Sequence, residues 1–194
     1  MNKEAPASTI IQASNYILSR LTTYFGSRPD HFGSFIKGNF KAHGWLPAEA
    51  YVALTSSVAQ KVVKVTQVRG ASQGESKFNP DLEIEVEGEF HQLAILPVLT
   101  TPDRPLTLLA EQDLSETFLW LNKLKTRALV FLLAFPGGLE DEGWKAGLER
   151  LKELYEASAV GQFQFVIPRP PQQMIRASTA LFLHTSQIPD PSVE

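Results

Sequence analysis

Acid and hydrocarbon alternate without a break from Asp81 to Glu87. A strand sends successive side chains to opposite faces. Asp81, Glu83, Glu85 and Glu87 therefore share one face, and Leu82, Ile84 and Val86 share the other. The next strand is expected over about Phe90 to Leu99, with Gly88-Glu89 as a two-residue turn that places glycine first. That turn sets Glu87 opposite Phe90, Glu85 opposite Gln92, Glu83 opposite Ala94 and Asp81 opposite Leu96. Upstream, Val62, Val63, Val65 and Val68 interleave with Lys64, Thr66 and Arg69 and predict a first strand from Lys61. A polar loop over 70–79 joins it to the acidic strand.

The period is helical elsewhere. Ile10, Ile11, Ile17, Leu18, Leu21, Tyr24 and Phe25 make one stripe of a helix capped by Ser8 or Thr9 and ended at Gly26-Ser27-Arg28-Pro29. Phe32, Phe35, Ile36 and Phe40 predict a short second helix over 30–43. A third starts near Pro47 and runs to about Gln60. After the three strands, Leu106 to Leu109 reads as a short strand. Asp113 and Glu116 read as a capping box on a helix from Leu114 to Lys125. Ala128 to Phe135 is almost pure hydrocarbon, the pattern of a strand buried on both faces. A helix over 140–158, strands at Phe163 to Ile167 and Ser178 to Thr185, and a stiff connector at Pro168, Pro170 and Pro171 complete the chain. The fold class expected is α/β (or α+β): a mixed β-sheet with an N-terminal helical segment and helices packed on the sheet. The divisions expected are an N-terminal amphipathic helix (1–29), a core domain (30–170), and a C-terminal strand with a frayed tail (171–194).

Composition narrows the function. The apolar run at Ala128 to Phe135 is too short to cross a bilayer, and the N-terminus has no secretory pattern, so a cytoplasmic location without membrane insertion is expected. The absence of cysteine excludes disulfides, thiolate catalysis and Cys-ligated metals. Charge is segregated: residues 1–70 hold eight basic and three acidic side chains, residues 71–194 ten and eighteen. These regions either face one another or meet partners of opposite sign.

Catalytic signatures are missing. There is no Gly-x-Ser-x-Gly elbow, phosphate loop or dinucleotide fingerprint, and Gly70-Ala71-Ser72-Gln73-Gly74 lies in a polar loop with no helix behind it. None of His31, His43, His91 and His184 stands at metal-ligand spacing, and His91 is expected as an exposed strand-end residue. Asp81 and Glu83 are the candidate metal ligands. Same-face neighbours on one strand sit ~7 Å apart, too far to converge alone on one ion. No cofactor is expected. The candidate partner-binding residues are Arg28, Lys37 and Lys41 around the phenylalanine-rich helix, and Glu83, Glu85 and Glu87 on the acidic face. The expected function is a non-enzymatic protein–protein interaction subunit or adaptor of a larger complex. Its partners are expected to be other protein subunits, including self-association, with nucleic acid as the alternative.

The element order from residue 47 to 135, with Pro80-Asp81 opening one strand, resembles the core of restriction-endonuclease-like proteins. The resemblance implies Asp81 as one metal-binding acid and an acid-x-lysine triplet on the next strand. Ala94-Ile95-Leu96 and Ile95-Leu96-Pro97 carry neither acid nor lysine, and no lysine lies between Lys77 and Lys123. Lys123 or Lys125 would have to replace the lysine, and Glu49 would be an extra acid. What the resemblance implies is a catalytically inactive relative that binds nucleic acid or scaffolds a nucleic-acid-processing complex.

Overall fold

The computed structural model describes residues 7–30, 45–55, 64–67, 80–86, 88–169 and 173–188. The second predicted helix lies outside them. The elements in chain order are α1 (Ala7–Gly26), α2 (Trp45–Thr55), β1 (Lys64–Gln67), β2 (Leu82–Val86), β3 (Glu89–Leu99), α3 (Leu106–Glu111), α4 (Ser115–Leu124), β4 (Ala128–Phe135), α5 (Glu142–Tyr155), β5 (Ala157–Arg169) and β6 (Gln173–His184). No described helix is long and apolar enough to cross a membrane.

The strands form one mixed sheet in the order β1-β2-β3-β4-β6-β5. β1, β2 and β3 are an antiparallel meander, and β3 lies parallel to β4. Parallel neighbours need a crossover connection, supplied here by α3 and α4. β6 then pairs antiparallel with both β4 and β5. Helices cover both faces, so the class is α/β. α1 and α2 pack with Ile84, Leu93, Phe131 and Leu181 on one side. α3, α4 and α5 pack with Val130, Leu132, Ala180 and Phe182 on the other. β4 is buried at every position, as its continuous hydrocarbon predicts.

α1 does not stand apart from this core. Ile17, Leu18, Leu21 and Phe25 have no solvent exposure, and its Thr22 hydroxyl lies 2.8 Å from that of Thr179 on β6. The buried polar pair helps fix the helix on the sheet, because it satisfies the Thr22 hydroxyl where α1 meets β6.

Four local expectations are corrected. Leu106–Glu111 is a helix rather than a strand, because its buried Leu106, Leu109 and Ala110 dock against α5. Asp113 caps nothing: α4 begins one residue later with Leu114 at its N-cap, and Asp113 pairs with exposed Arg104. The turn between β2 and β3 falls before Glu89 rather than at Gly88-Glu89, since Val86 pairs with Glu89 and Glu85 with Phe90. Gly88 closes it with φ of +87°, a value glycine adopts without steric cost. Glu83 and Glu85 are thus opposite residues two positions earlier than expected, and a two-residue slip leaves the faces unchanged. Finally, Pro168 lies inside β5 rather than in a connector, and β5 is far longer than the pattern suggested.

α3 and α5 approach closely at Gly147, where an added methyl would overlap the Leu106 side chain. Alanine normally favours a helix over glycine by ~1 kcal/mol. Gly147→Ala should instead lower stability by about 1–3 kcal/mol through overpacking. Thermal unfolding reads the sign directly; a higher melting temperature would refute the close contact.

Candidate interaction surface

The acidic strand keeps its predicted alternation. Leu82, Ile84 and Val86 are buried, while Glu83 and Glu85 are partly covered on the opposite face. Glu83 sits opposite Gln92 and Glu85 opposite Phe90, whose ring is half exposed. Glu87 lies outside the described residues. Both described glutamates have interaction partners of their own, so they are not an open ladder of charge.

Asp81 behaves differently. β2 ends its pairing at Leu82, and Asp81 then continues the ladder with its side chain. Its backbone N–H donates to Leu93 O at 3.0 Å, and its Oδ2 accepts the Ile95 N–H at 2.7 Å. Burial pushes the carboxyl up to about 6, with the Ile95 hydrogen bond opposing that rise. No group of three His, Asp or Glu side chains among the described residues could hold a metal ion. With Oδ2 committed to the backbone and no such group among the described residues, Asp81 does not fit the magnesium chemistry that the nuclease resemblance implies.

Arg28 is also committed. Its guanidinium lies 3.7 Å from the centre of the Tyr24 ring and 3.9 Å from Glu49 Oε2. Tyr24 donates its hydroxyl to the same Glu49 oxygen at 2.6 Å. Burial and that hydrogen bond raise the Tyr24 phenol above its ordinary value. The three side chains tie α1 to α2, so Glu49 serves a structural contact. Lys37 and Lys41 lie outside the described residues, as do His31 and His43.

His91 is buried opposite Ile84 rather than exposed at a strand end: it shares the hydrocarbon face in either register, and the shifted turn sets it two residues further into the ladder. His184 is buried too, with Nε2 at 3.0 Å from Glu156 and Nδ1 at 2.7 Å from the Ser186 hydroxyl. The trio has the residue types of a hydrolytic triad, but His184 serves as the N-cap of a short 3-10 turn, Thr185–Gln187. Ser186 N–H donates to Nδ1, Thr185 N–H to Glu156 O and Ile188 N–H to Thr185 O. Those amides are spent, so none of them can stabilise an oxyanion.

The C-terminal ends of β3 and β4, where an α/β sheet offers a ligand crevice, hold a cavity of about 160 Å³. Hydrocarbon from Leu106, Ala134 and Trp144 lines much of it, and Asp141 at its rim accepts the Gly138 N–H at 2.6 Å. It is small for a ligand site.

The remaining feature is the outer edge of β5. From Ala157 to Pro168 no residue carries a charge. Among the described residues no strand pairs with that edge. Two observations fix which backbone groups point outward. Thr179 donates its hydroxyl to the carbonyl of its cross-strand partner Phe163, so Phe163 points toward β6. Pro168, which lacks an N–H, is tolerated in a strand where that N–H would face away from the ladder. Strand alternation then turns the N–H and C=O of Gln162, Gln164 and Val166 outward. The chain matches no family model, no curated protein and no solved structure. The surface must therefore be judged by its own chemistry.

That surface is held in place. Gln162 Oε1 accepts Trp144 Nε1–H at 2.7 Å, and Gln164 Oε1 accepts Leu139 N–H at 3.2 Å. Both side chains are drawn onto the α5 side, which keeps the strand extended. Phe163 and Val166 are 44% and 43% exposed, on opposite faces. Natural edge strands are usually blunted by charge, proline or brevity; β5 has its only described proline near one end and no charge before it. Sequence reasoning missed this surface. The uncharged run was visible, but nothing local shows that its strand is the last of the sheet.

Proposed function

We propose that the chain is a non-enzymatic interaction subunit whose docking element is the outer edge of β5. The single observation that carries this reading is the uncharged, pre-extended edge at Gln162, Gln164 and Val166. Strand addition to such an edge gains main-chain hydrogen bonds while flanking side chains set specificity. The spent amides at Ser186 and the committed Asp81 are the contrasting features, each already used structurally, and the cavity is small for a ligand.

The test is affinity capture from the native host with the intact chain and with Gln164→Lys. The account expects a defined set of proteins, the host's own copy included, to be retained by the first and lost by the second. An identical set with both would remove β5 as the docking element.

A second reading is the catalytically inactive nuclease-like domain that binds nucleic acid. It draws support from the order helix, antiparallel meander, helical crossover and parallel fourth strand, together with Pro80-Asp81. Retention on DNA or RNA that falls steeply with salt would favour it, because phosphate contacts release counterions.

A further inference from the structure

We propose that the occupant of the β5 edge is a second copy of this chain, paired antiparallel about a two-fold axis through Gln164. The proposal rests on the interaction reading above and names its partner. When a sheet continues across a two-fold, directly opposed residues lie on the same face, and each pairing occurs twice. The outward-facing set Gln162, Gln164 and Val166 is bounded by the bulge between Ala159 and Gly161 on one side and by Pro168 on the other. That set is symmetric about Gln164. A two-fold there pairs Gln164 with its own copy and Gln162 with Val166, in both directions. Every outward N–H and C=O of the three residues is used, and the proline stays outside the ladder.

The same register places Phe163 opposite Phe165 of the second copy, twice. Both lie on the α1 side of the sheet, where aromatic cross-strand pairs add to main-chain bonding. The neighbouring helix favours the same occupant. The exposed residues Gln12, Asn15, Ser19 and Thr23 of α1 are all uncharged. Asn15 Oδ1 lies 3.1 Å from where a Cβ on Gly161 would stand, so this stripe borders β5. The two-fold turns one stripe toward the other without like-charge repulsion. A partner chosen by charge would find nothing to recognise on this edge, in a chain where 20% of residues are charged.

The chain has no cysteine, so Gln164→Cys introduces a single thiol. Directly hydrogen-bonded antiparallel residues have Cα atoms ~5.5 Å apart, within disulfide reach. The account expects the intact chain to sediment at twice 21.5 kDa and to dissociate on dilution. Under mild oxidation Gln164→Cys should become a covalent dimer, while Val52→Cys, an exposed position on α2, should not. Gln164→Lys sets two ammonium groups against each other and should weaken the dimer more than about tenfold, with its circular dichroism and melting profile retained as proof of folding.

Three results would overturn the proposal. A chain monomeric at all concentrations removes the second copy as occupant; if Gln164→Lys still loses host proteins in the capture experiment, the interaction edge itself survives. A dimer that tolerates Gln164→Lys is built on another surface. Equal cross-linking at Val52→Cys and Gln164→Cys shows collision rather than this register.

Discussion

Phe131→Ala is expected to lower the free energy of unfolding by about 3–5 kcal/mol, the range for deleting a buried aromatic ring. Phe131 lies mid-way along β4, has no solvent exposure, and its ring centre is 5.9 Å from that of Phe25 on α1. Phe25 in turn contacts Trp45 at the start of α2, at 6.4 Å. The ring therefore joins the central strand to both helices of one layer, and close-packed interiors relax only partly around a lost side chain. Urea denaturation measures the effect as a shift in midpoint at unchanged slope. A loss below ~1 kcal/mol would mean that α1 and α2 do not pack on β4 as described.

Asp81→Asn is expected to stabilise the protein at pH 8 by about 1–3 kcal/mol. The carboxyl of Asp81 titrates near 6 in the fold against an ordinary 3.8, because burial disfavours its charge. A raised folded value means that the protonated form favours folding. Its stabilising contribution is complete below 3.8 and is lost as pH rises through 6. The full difference corresponds to about 3 kcal/mol, reduced by the partial exposure of the side chain. Asparagine keeps an oxygen for the Ile95 N–H and never ionises. Wild-type stability should therefore approach that of the variant as pH falls from 8 to about 4. Parallel pH profiles, or a variant less stable at pH 8, would show that Asp81 is solvated rather than inserted into the β2–β3 ladder.

What could be read from the chain followed the strength of its local patterns. β4 was legible because unbroken hydrocarbon has no place except a sheet interior. α1 and the alternation of β2 were legible because their periods, 3.6 and 2, match one element each. β5 was misjudged for a physical reason. Ser158, Gly161 and Gln162 have little strand preference, and the bulge at Ala159/Gly161 breaks the alternation. Pairing with β6 imposes the extended form there. α3 was mistaken for a strand because Leu106-Thr107-Leu108-Leu109 is too short to show a period, and the close approach at Gly147 decides it.

The candidate site was less legible than the fold. Asp81 belonged to a recognisable row of acids, yet its environment depends on where β2 stops pairing. Glu83 and Glu85 kept their face but acquired partners, and Arg28 was drawn into the contact between α1 and α2. The open edge depends on strand order, which no single stretch of sequence encodes.

Backbone hydrogen exchange along β5 tests the central claim most directly. In the dilute chain, amides that point to β6, at Phe163, Phe165 and Ile167, should exchange slowly, while those of Gln162, Gln164 and Val166 exchange fast. In the assembled state the second set should become protected without change in the first. Outward amides already protected in the dilute chain, or still unprotected in the assembled one, would contradict the assignment of β5 as the docking edge.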